Sequence, residues 1–496
     1  GSELRAVLAC PGSYGEIDRD ALRAYLRHLA VPAPLTMLSG VRKLQPGHYL
    51  EARPAGDHVT LVERPYWAAR EVFERAHAVQ DQRPVVELLD EVSRRIGVAV
   101  RRQLAADVPV GAFLSGGVDS ALIVAMLQEA SSRPVRTFTV GFDEREFDEA
   151  PHARAVASHL GTDHTEIQLS ALDALNLVPS LADVYDEPFA DSSQLPTLLV
   201  CRETRRHVTV ALSGDGGDEV FAGYGRYLGV LRQWQRASAL PPAVRTLGHA
   251  AWNSLAAAGS AASHLGLGRP GARLRVASER RQRRLGAHSL AEMYLHAVSH
   301  WQDPSAAVIG GSEPRTAVNA PAGATLDPLQ TMMLADVELY LPDDILVKVD
   351  RAAMSVSLET RVPLLDHELV EYVWRLPPAT HWKDGRGKWV TRQLLERRVP
   401  RELFDRPKRG FAVPLAAWLR GPLRAWADDL LSASRLREGG FFQVPVVTRA
   451  WQEHRAGHAD HSFQLWAVVM FEAWRERHLR ATGLANVEGR TRAGAG

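Results

Sequence analysis

The chain has 496 residues, too many for one ordinary domain; at about 150 residues per domain it allows two to four. Its 46% hydrophobic and 24% charged residues exclude global disorder, collagen and a simple coiled coil. With 59 basic and 58 acidic residues the formal net charge is +1, so no whole-molecule field draws it to nucleic acid or an anionic membrane, and any charged partner has to be read locally.

Cys10 and Cys201 lie far apart and neither belongs to a C-x-x-C pair, which fits a reducing compartment and offers no zinc or disulfide framework. There is no long apolar run and no basic-then-apolar leader. The expectation is a cytoplasmic protein with neither nucleic acid nor membrane as partner; homo-oligomerisation is compatible with the sequence. The chain opens on Gly1-Ser2 rather than Met, as an expression scar, a processed chain or an excised fragment would.

In chain order, residues 3–67 read as a helix near Asp20–His28 and a short strand at Gly47–Leu50, too little for a whole domain. Between Pro84 and Leu104 the apolar residues Val85, Leu88, Leu89, Val92, Ile96 and Val100 recur at three and four, the period of a one-faced helix. An apolar strand Val108–Leu114 follows, then a Ser-Gly-Gly turn and a helix Ser120–Glu129. A second strand, Thr137–Phe142, precedes a helix at Ala150–Leu160, and a third spans His207–Leu212. Strands alternating with helices predict an α/β fold with a parallel, doubly wound sheet, whose ligands collect at the carboxyl ends of the strands. Residues 228–286 carry ten arginines against one acid, Glu279, and read either as a solvated helical insertion or as a surface for an anionic partner. From Asp327 to about Leu479 the chain reads mainly helical, and 481–496 reads as a flexible tail.

Leu114-Ser115-Gly116-Gly117-Val118-Asp119-Ser120 sets two glycines and two hydroxyls between a strand and a helix, where free amides and the helix dipole favour an anion. It is neither G-x-x-x-x-G-K-[ST] nor G-x-G-x-x-G, which leaves a pyrophosphate site or a plain glycine turn. Asp119 in an anion-binding turn makes electrostatic sense when a cation bridges it to phosphate, and magnesium takes one or two carboxylates plus phosphate oxygens. Ser213-Gly214-Asp215-Gly216-Gly217-Asp218-Glu219 repeats the logic at another strand end. Asp119 and Asp218 then hold one Mg²⁺, leaving Asp215 to orient a nucleophile or bind substrate. Asp186-Glu187-Pro188-Phe189-Ala190-Asp191-Ser192-Ser193, taken alone, reads as a capped loop.

These three segments, with Leu341-Pro342-Asp343-Asp344, Val349-Asp350-Arg351, Glu359 to Asp366 and Pro407-Lys408-Arg409-Gly410-Phe411, resemble the synthetase domain of the glutamine-dependent asparagine synthetases over about residues 84–480. The resemblance implies a fold of the PP-loop ATP pyrophosphatase type with a helical C-terminal part. It implies an AMP-forming ligase that adenylates a carboxylate, aspartate by default, releases pyrophosphate and transfers ammonia or an amine. By the same resemblance Leu114, Ser115, Gly116, Gly117, Ser120, Val140, Ser213 and Gly214 bind ATP, and Asp119 and Asp218 bind Mg²⁺. Lys408 stabilises charge during adenylation, Asp215 handles substrate or attacking amine from a position where many relatives have Glu, and Glu359 has a second-tier catalytic role. For Glu359 and Arg361 a buried ion pair at a helix end is the competing reading.

Residues 1–67, through Ser2–Ala6 and Leu44–Tyr49, resemble the end of the family's glutaminase domain without its N-terminal cysteine. Cys10 sits inside a segment, so neither cysteine is expected to act as nucleophile. Free ammonia, another amine, or a separate or removed glutaminase remain as nitrogen sources. Rival readings are the same chemistry on another carboxylate, closing a β-lactam or macrocycle or amidating a natural product; sulfur transfer to RNA; and ATP binding without turnover.

Overall fold

A computed structural model describes residues 1–10, 15–142, 148–264, 268–319, 326–406 and 413–479. Helix α1 (Arg19–His28) leads into a hairpin of β1 (His48–Ala55) and β2 (His58–Pro65), and α2 (Val85–Leu104) opens the α/β part. Then come β3 (Val110–Phe113), α3 (Val118–Glu129), β4 (Arg136–Phe142), α4 (Ala150–Leu160), β5 (Asp163–Leu169), α5 (Gln194–Thr204) and β6 (Val210–Leu212). Three helices follow, α6 (Gly225–Ser238), α7 (Pro242–His264) and α8 (Gly268–Gly286). The remaining elements used below are α9 (Val347–Met354), β7 (Glu359–Arg361), α10 (Trp389–Glu396), α11 (Val444–Arg455) and α12 (Ser462–Leu479).

The five central strands form an all-parallel sheet in the order β5-β4-β3-β6-β7. From β3 the chain winds outward to β4 and β5, then returns to place β6 on the other side of β3. The order therefore reverses between β3 and β6, and loops leaving their carboxyl ends diverge around a crevice. Two strands escape the sequence reading. Edge strand β5 carries His164, Glu166 and Gln168, whose polarity hides the strand, and three-residue β7 is too short to show a period.

Both sheet faces are covered, which is why the inner strands read as near-continuous apolar runs. Ala112, Leu114 and Leu212 point into one core with Val92 and Ile96 of α2, Leu122 and Val124 of α3, and Val156 of α4. Phe138, Val140 and Ala211 point into the other, with Leu198 of α5, Leu22, Tyr25 and Leu26 of α1, and Trp466, Phe471 and Trp474 of α12. Helix α3 is buried almost all round, so its sequence lacks a polar stripe.

The N-terminal segment is built into this second core. Tyr25 donates its hydroxyl hydrogen to the Ala467 carbonyl at 2.8 Å, and the Leu4 and Arg5 amides both donate to Asp186, Arg5 at 2.9 Å. The β1–β2 ribbon instead leaves one apolar face, with Leu50, Val59 and Leu61, at least half exposed.

Residues 336–346 form a π-helix with Pro342 inside it. Proline lacks the amide an α-helix would use there, and the wider turn brings Tyr340 and Asp344 onto the wall of the crevice.

Leu22 is fully buried between the N- and C-terminal helices. Leu22→Ala is expected to cost about 2–5 kcal/mol in chemical denaturation and to shift a single transition. A separate early transition for the N-terminal segment would show that it folds apart from the sheet.

Candidate nucleotide and carboxylate site

A cavity of about 1030 Å³ opens at the β3/β6 switch point. The loop after β3 is organised by its hydroxyls. Ser115 Oγ and Ser120 Oγ lie 3.0 Å apart, the Ser115 amide donates to Ser120 Oγ at 3.2 Å, and the Gly117 amide donates to Ser115 Oγ at 3.3 Å. Gly116 takes φ +68°, and a Cβ there would press within 3.0 Å of the Ala153 amide nitrogen. The loop ends at the amino terminus of α3, so amide hydrogens and the helix dipole face the cavity.

The loop after β6 continues the ladder, with the Ser213 amide donating to the Arg361 carbonyl at 2.8 Å. Ser213 Oγ then donates to Asp215 Oδ2 at 2.6 Å. The two loops touch backbone to backbone. A Cβ on Gly214 would lie 2.7 Å from the Ser120 amide nitrogen, and one on Gly217 would collide with the Asp119 carboxylate. Glycine here serves close approach, and the approach brings Asp119 and Asp218 together.

Both carboxylates converge on one cation, the ammonium of Lys388. Its Nζ donates to Asp119 Oδ2 and pairs with Asp218 Oδ1 at 2.7 Å. Lys388 sits at φ +58° before α10, with its amide donating to the Phe221 carbonyl at 3.0 Å, and its side chain is buried. Burial alone would depress this ammonium; Asp119 and Asp218 outweigh it and hold its pKa above the ordinary lysine value. Glu219, next in the loop, is raised to about 7 by burial and then by Asp218, and accepts the Tyr224 hydroxyl hydrogen at 2.5 Å.

A second charged group lines the far wall. Lys348 Nζ donates to Asp191 Oδ2 at 2.7 Å and lies 3.9 Å from Asp344 Oδ1. Burial pushes both acids up, but Lys348 overrides it at Asp191, which stays below its ordinary value, while Asp344 is pushed well up by burial and by Asp191. Arg392 and Arg406 also line the cavity, and Arg406 Nη2 donates to the Ser115 carbonyl at 3.3 Å.

The structure brings together most of the residues expected from the sequence. Leu114, Ser115, Gly116, Gly117, Asp119, Ser120, Val140, Ser213, Gly214, Asp215 and Asp218 all line this cavity. Lys408 lies outside the described residues.

Glu359 requires a correction. It starts β7 opposite Val210, at the amino end of the sheet and away from the loops, and does not line the cavity. Its partner Arg361 Nε lies 2.6 Å away, but the Glu359 side chain is 55% exposed, so the pair is not a buried ion pair. Arg361 instead donates through Nη1 to the Gln103 and Ala105 carbonyls at 2.6 and 2.9 Å, closing the carboxyl end of α2.

The 186–193 segment divides its acids. Asp186 holds the Leu4 and Arg5 amides, and Glu187 accepts from the Met37 amide at 2.7 Å and pairs with Lys43 at 2.6 Å. Only Asp191, with Ser192 and Ser193, faces the cavity. Lys388 and Lys348 are the two lysines of the cavity that the sequence reading missed, together with Arg392 and Arg406. A buried lysine announces itself only through distant acids, though the Gly385-Arg386-Gly387 turn before Lys388 was a usable signal.

Among the described residues no group of three or more His, Cys, Asp or Glu side chains could hold a metal. Two converging carboxylates with an anion-binding turn between them nevertheless fit magnesium, which fills its shell with phosphate oxygens and water. Asp119 and Asp218 are the residues that would hold it.

Comparison with known proteins adds to this geometry. The family model described as asparagine synthase matches residues 91–476, and one described as a glutamine amidotransferase domain matches residues 1–67. The chain is 29% identical over 483 residues to asparagine synthetase (glutamine-hydrolyzing) 1 of Bacillus subtilis, covering 95% of this chain and 71% of that protein. It is 35% identical over 467 residues to a Mycobacterium bovis protein provisionally named asparagine synthetase (glutamine-hydrolyzing), covering 92% and 67%. It is 28% identical over 446 residues to a Penicillium rubens protein named amidase chyE, covering 82% and 63%.

Removing the ammonium leaves two half-buried carboxylates facing each other. Lys388→Met is expected to lose about 3–5 kcal/mol in urea denaturation, with part of the loss recovered on adding Mg²⁺. Unchanged stability would mean that the three charges are not coupled.

Proposed function

We infer that this chain, which belongs to the asparagine synthase family, uses ATP to adenylate a carboxylate and then transfers nitrogen to it as an amide. The observation that carries this reading is the contact of the two glycine loops, which puts an anion-binding helix terminus and two cation-sharing carboxylates in one crevice. A phosphate cradle alone would serve many reactions; a cradle with a carboxylate pair at the switch point suits a metal-bound triphosphate.

In this account the amides and hydroxyls of Ser115, Gly116, Gly117 and Ser120 hold the pyrophosphate portion of ATP, and Val140 and Ser213 border the nucleotide. Asp119 and Asp218 would hold the magnesium, which would supply charge neutralisation for the leaving pyrophosphate. A substrate carboxylate oxygen attacks the α-phosphorus, the bond to the β-phosphate oxygen breaks, and pyrophosphate leaves. Ammonia or an amine then adds to the acyl carbon and AMP departs. Positioning and charge supply most of the rate. Lys388 and Arg406 add positive charge beside the cradle, and Lys408 is assigned the charge that builds on the adenylate. Asp215, oriented by Ser213 Oγ, faces the substrate side, where the Asp191–Lys348–Asp344 group offers both signs of charge to an amino acid-like carboxylate.

Aspartate is the default substrate. The breadth of the cavity, which also takes in Leu29, Trp382 and Phe463, supports a larger carboxylate as the second reading. For the nitrogen source, residues 1–67 match a glutamine amidotransferase domain, and the bare apolar face of the β1–β2 ribbon, with Leu50, Val59 and Leu61, is one that further glutaminase structure would cover. The protein acts on free ammonia or an amine when no glutaminase supplies it.

The test is carboxylate-dependent pyrophosphate release with ATP, Mg²⁺ and ammonia across a panel of acids beginning with aspartate. Asp119→Asn is expected to lower kcat by at least about a hundredfold, whereas Glu359→Gln is expected to stay within about twofold of the parent. Lys408→Ala is expected to retain ATP and lose turnover. No release with any carboxylate, or full activity of Asp119→Asn, would contradict the assignment.

A further inference from the structure

The nucleotide site leaves α7 and α8 unused. They pack as an antiparallel pair at close range: a Cβ on Gly248 would meet Leu285 Cδ1 at 2.9 Å, one on Gly286 would meet His249 Nδ1 at 2.6 Å, and one on Gly259 would meet the Arg275 amide nitrogen at 2.6 Å. Arg281 lies over the Trp252 ring at 4.5 Å, and Arg275 ties the pair to α11 through Glu453 at 2.5 Å.

One flank of this pair is an apolar row. Positions 244, 247, 251, 255 and 258 follow one another at three and four, so they lie along one side of α7, offset from the residues that face α8. Val244 is 49%, Leu247 72% and Leu255 39% exposed, with exposed Ala251 between them and exposed Ala258 one turn beyond. By the same offset, Leu274, Ala277, Arg281 and Arg284 of α8 border this flank, all of them exposed. Exposed Arg232 and Arg236 on α6 stand at the foot of the pair. The single acid of 228–286, Glu279, is taken up within the pair by Arg275 at 3.4 Å and Arg283 at 4.0 Å. The result is a ridge of leucine and valine about 17 Å long, fringed by guanidinium groups and holding no exposed carboxylate of its own.

We propose that this flank rests the protein on an anionic phospholipid surface, with Val244, Leu247 and Leu255 entering the headgroup–acyl boundary and Arg281 and Arg284 binding lipid phosphates. A second copy would bring two arginine sets together. Nucleic acid would use the arginines and leave the apolar ridge bare. A folded acidic partner would need holes matched to the protruding leucines, whereas a bilayer accommodates a ridge without them. No helix among the described residues is long and apolar enough to cross a membrane, so the contact is peripheral. The near-zero net charge does not oppose it, because attraction acts within a Debye length of about 8–10 Å and is set by the local arginines.

Co-sedimentation with phosphatidylcholine vesicles, with and without phosphatidylglycerol, tests this. The whole chain is expected to sediment with the phosphatidylglycerol vesicles only, and to be released by salt. Leu247→Glu with Leu255→Glu, and separately Arg281→Glu with Arg284→Glu, are each expected to weaken capture by at least about tenfold. Melting temperature and pyrophosphate release should stay unchanged in both, since none of these side chains lines the cavity. Failure of the parent chain to sediment, capture that survives the leucine changes, or binding to RNA as tight as to the vesicles would each overturn the proposal and leave the ligase assignment untouched.

Discussion

The structure turns on the contact between two glycine-bearing loops at the centre of one parallel sheet. At Gly214 and Gly217 the backbone of one loop approaches the other so closely that a methyl group would not fit. That approach delivers Asp119 and Asp218 to the same ammonium, and everything proposed about phosphate chemistry depends on their being neighbours. The contact follows from topology. Only at the position where the strand order reverses do two loops leave adjacent strand ends with a crevice between them.

Charge at this centre is finely divided. Two carboxylates and one lysine leave one negative charge in a buried place beside an amide-rich cradle that favours anions. A further cation would ease both features, and the magnesium of a triphosphate is the one proposed for this place. Lys388 also explains how the two acids stand so close, because its ammonium carries part of the neutralisation. Across the cavity the Asp191–Lys348–Asp344 group solves the same problem with one acid ionised and one pushed toward its neutral form. The two walls thus differ in charge, one pairing two acids with a lysine beside an amide-rich turn, the other setting one ionised and one near-neutral acid around a lysine.

Much of this was legible in the sequence, and the reasons are physical. The strand–loop–helix unit around Ser115 announces itself because a buried strand, a glycine turn and an apolar helix each have a local signature. The same holds for Ser213 to Glu219. What the sequence hid depends on distant partners. Glu359 and Arg361 stand out through the family resemblance, yet their backbone belongs to a short strand whose amino end lies away from the two glycine loops, and Arg361 is spent on the carbonyls ending α2. Beyond the glycine turn before it, Lys388 gives no local sign that it will reach acids some 170 and 269 positions earlier in the chain. The Asp344 wall depends on a π-turn around Pro342, which reads simply as an interrupted helix.

The central claim is that Asp119 and Asp218 jointly hold the magnesium of a bound nucleotide. Calorimetric titration of the protein with ATP, in the presence of Mg²⁺ and then of EDTA, measures this most directly. Parent protein should bind ATP at least about tenfold more tightly with Mg²⁺ than without, and Asp119→Asn and Asp218→Asn should each erase that difference. Retention of the full magnesium effect in either variant would contradict the account.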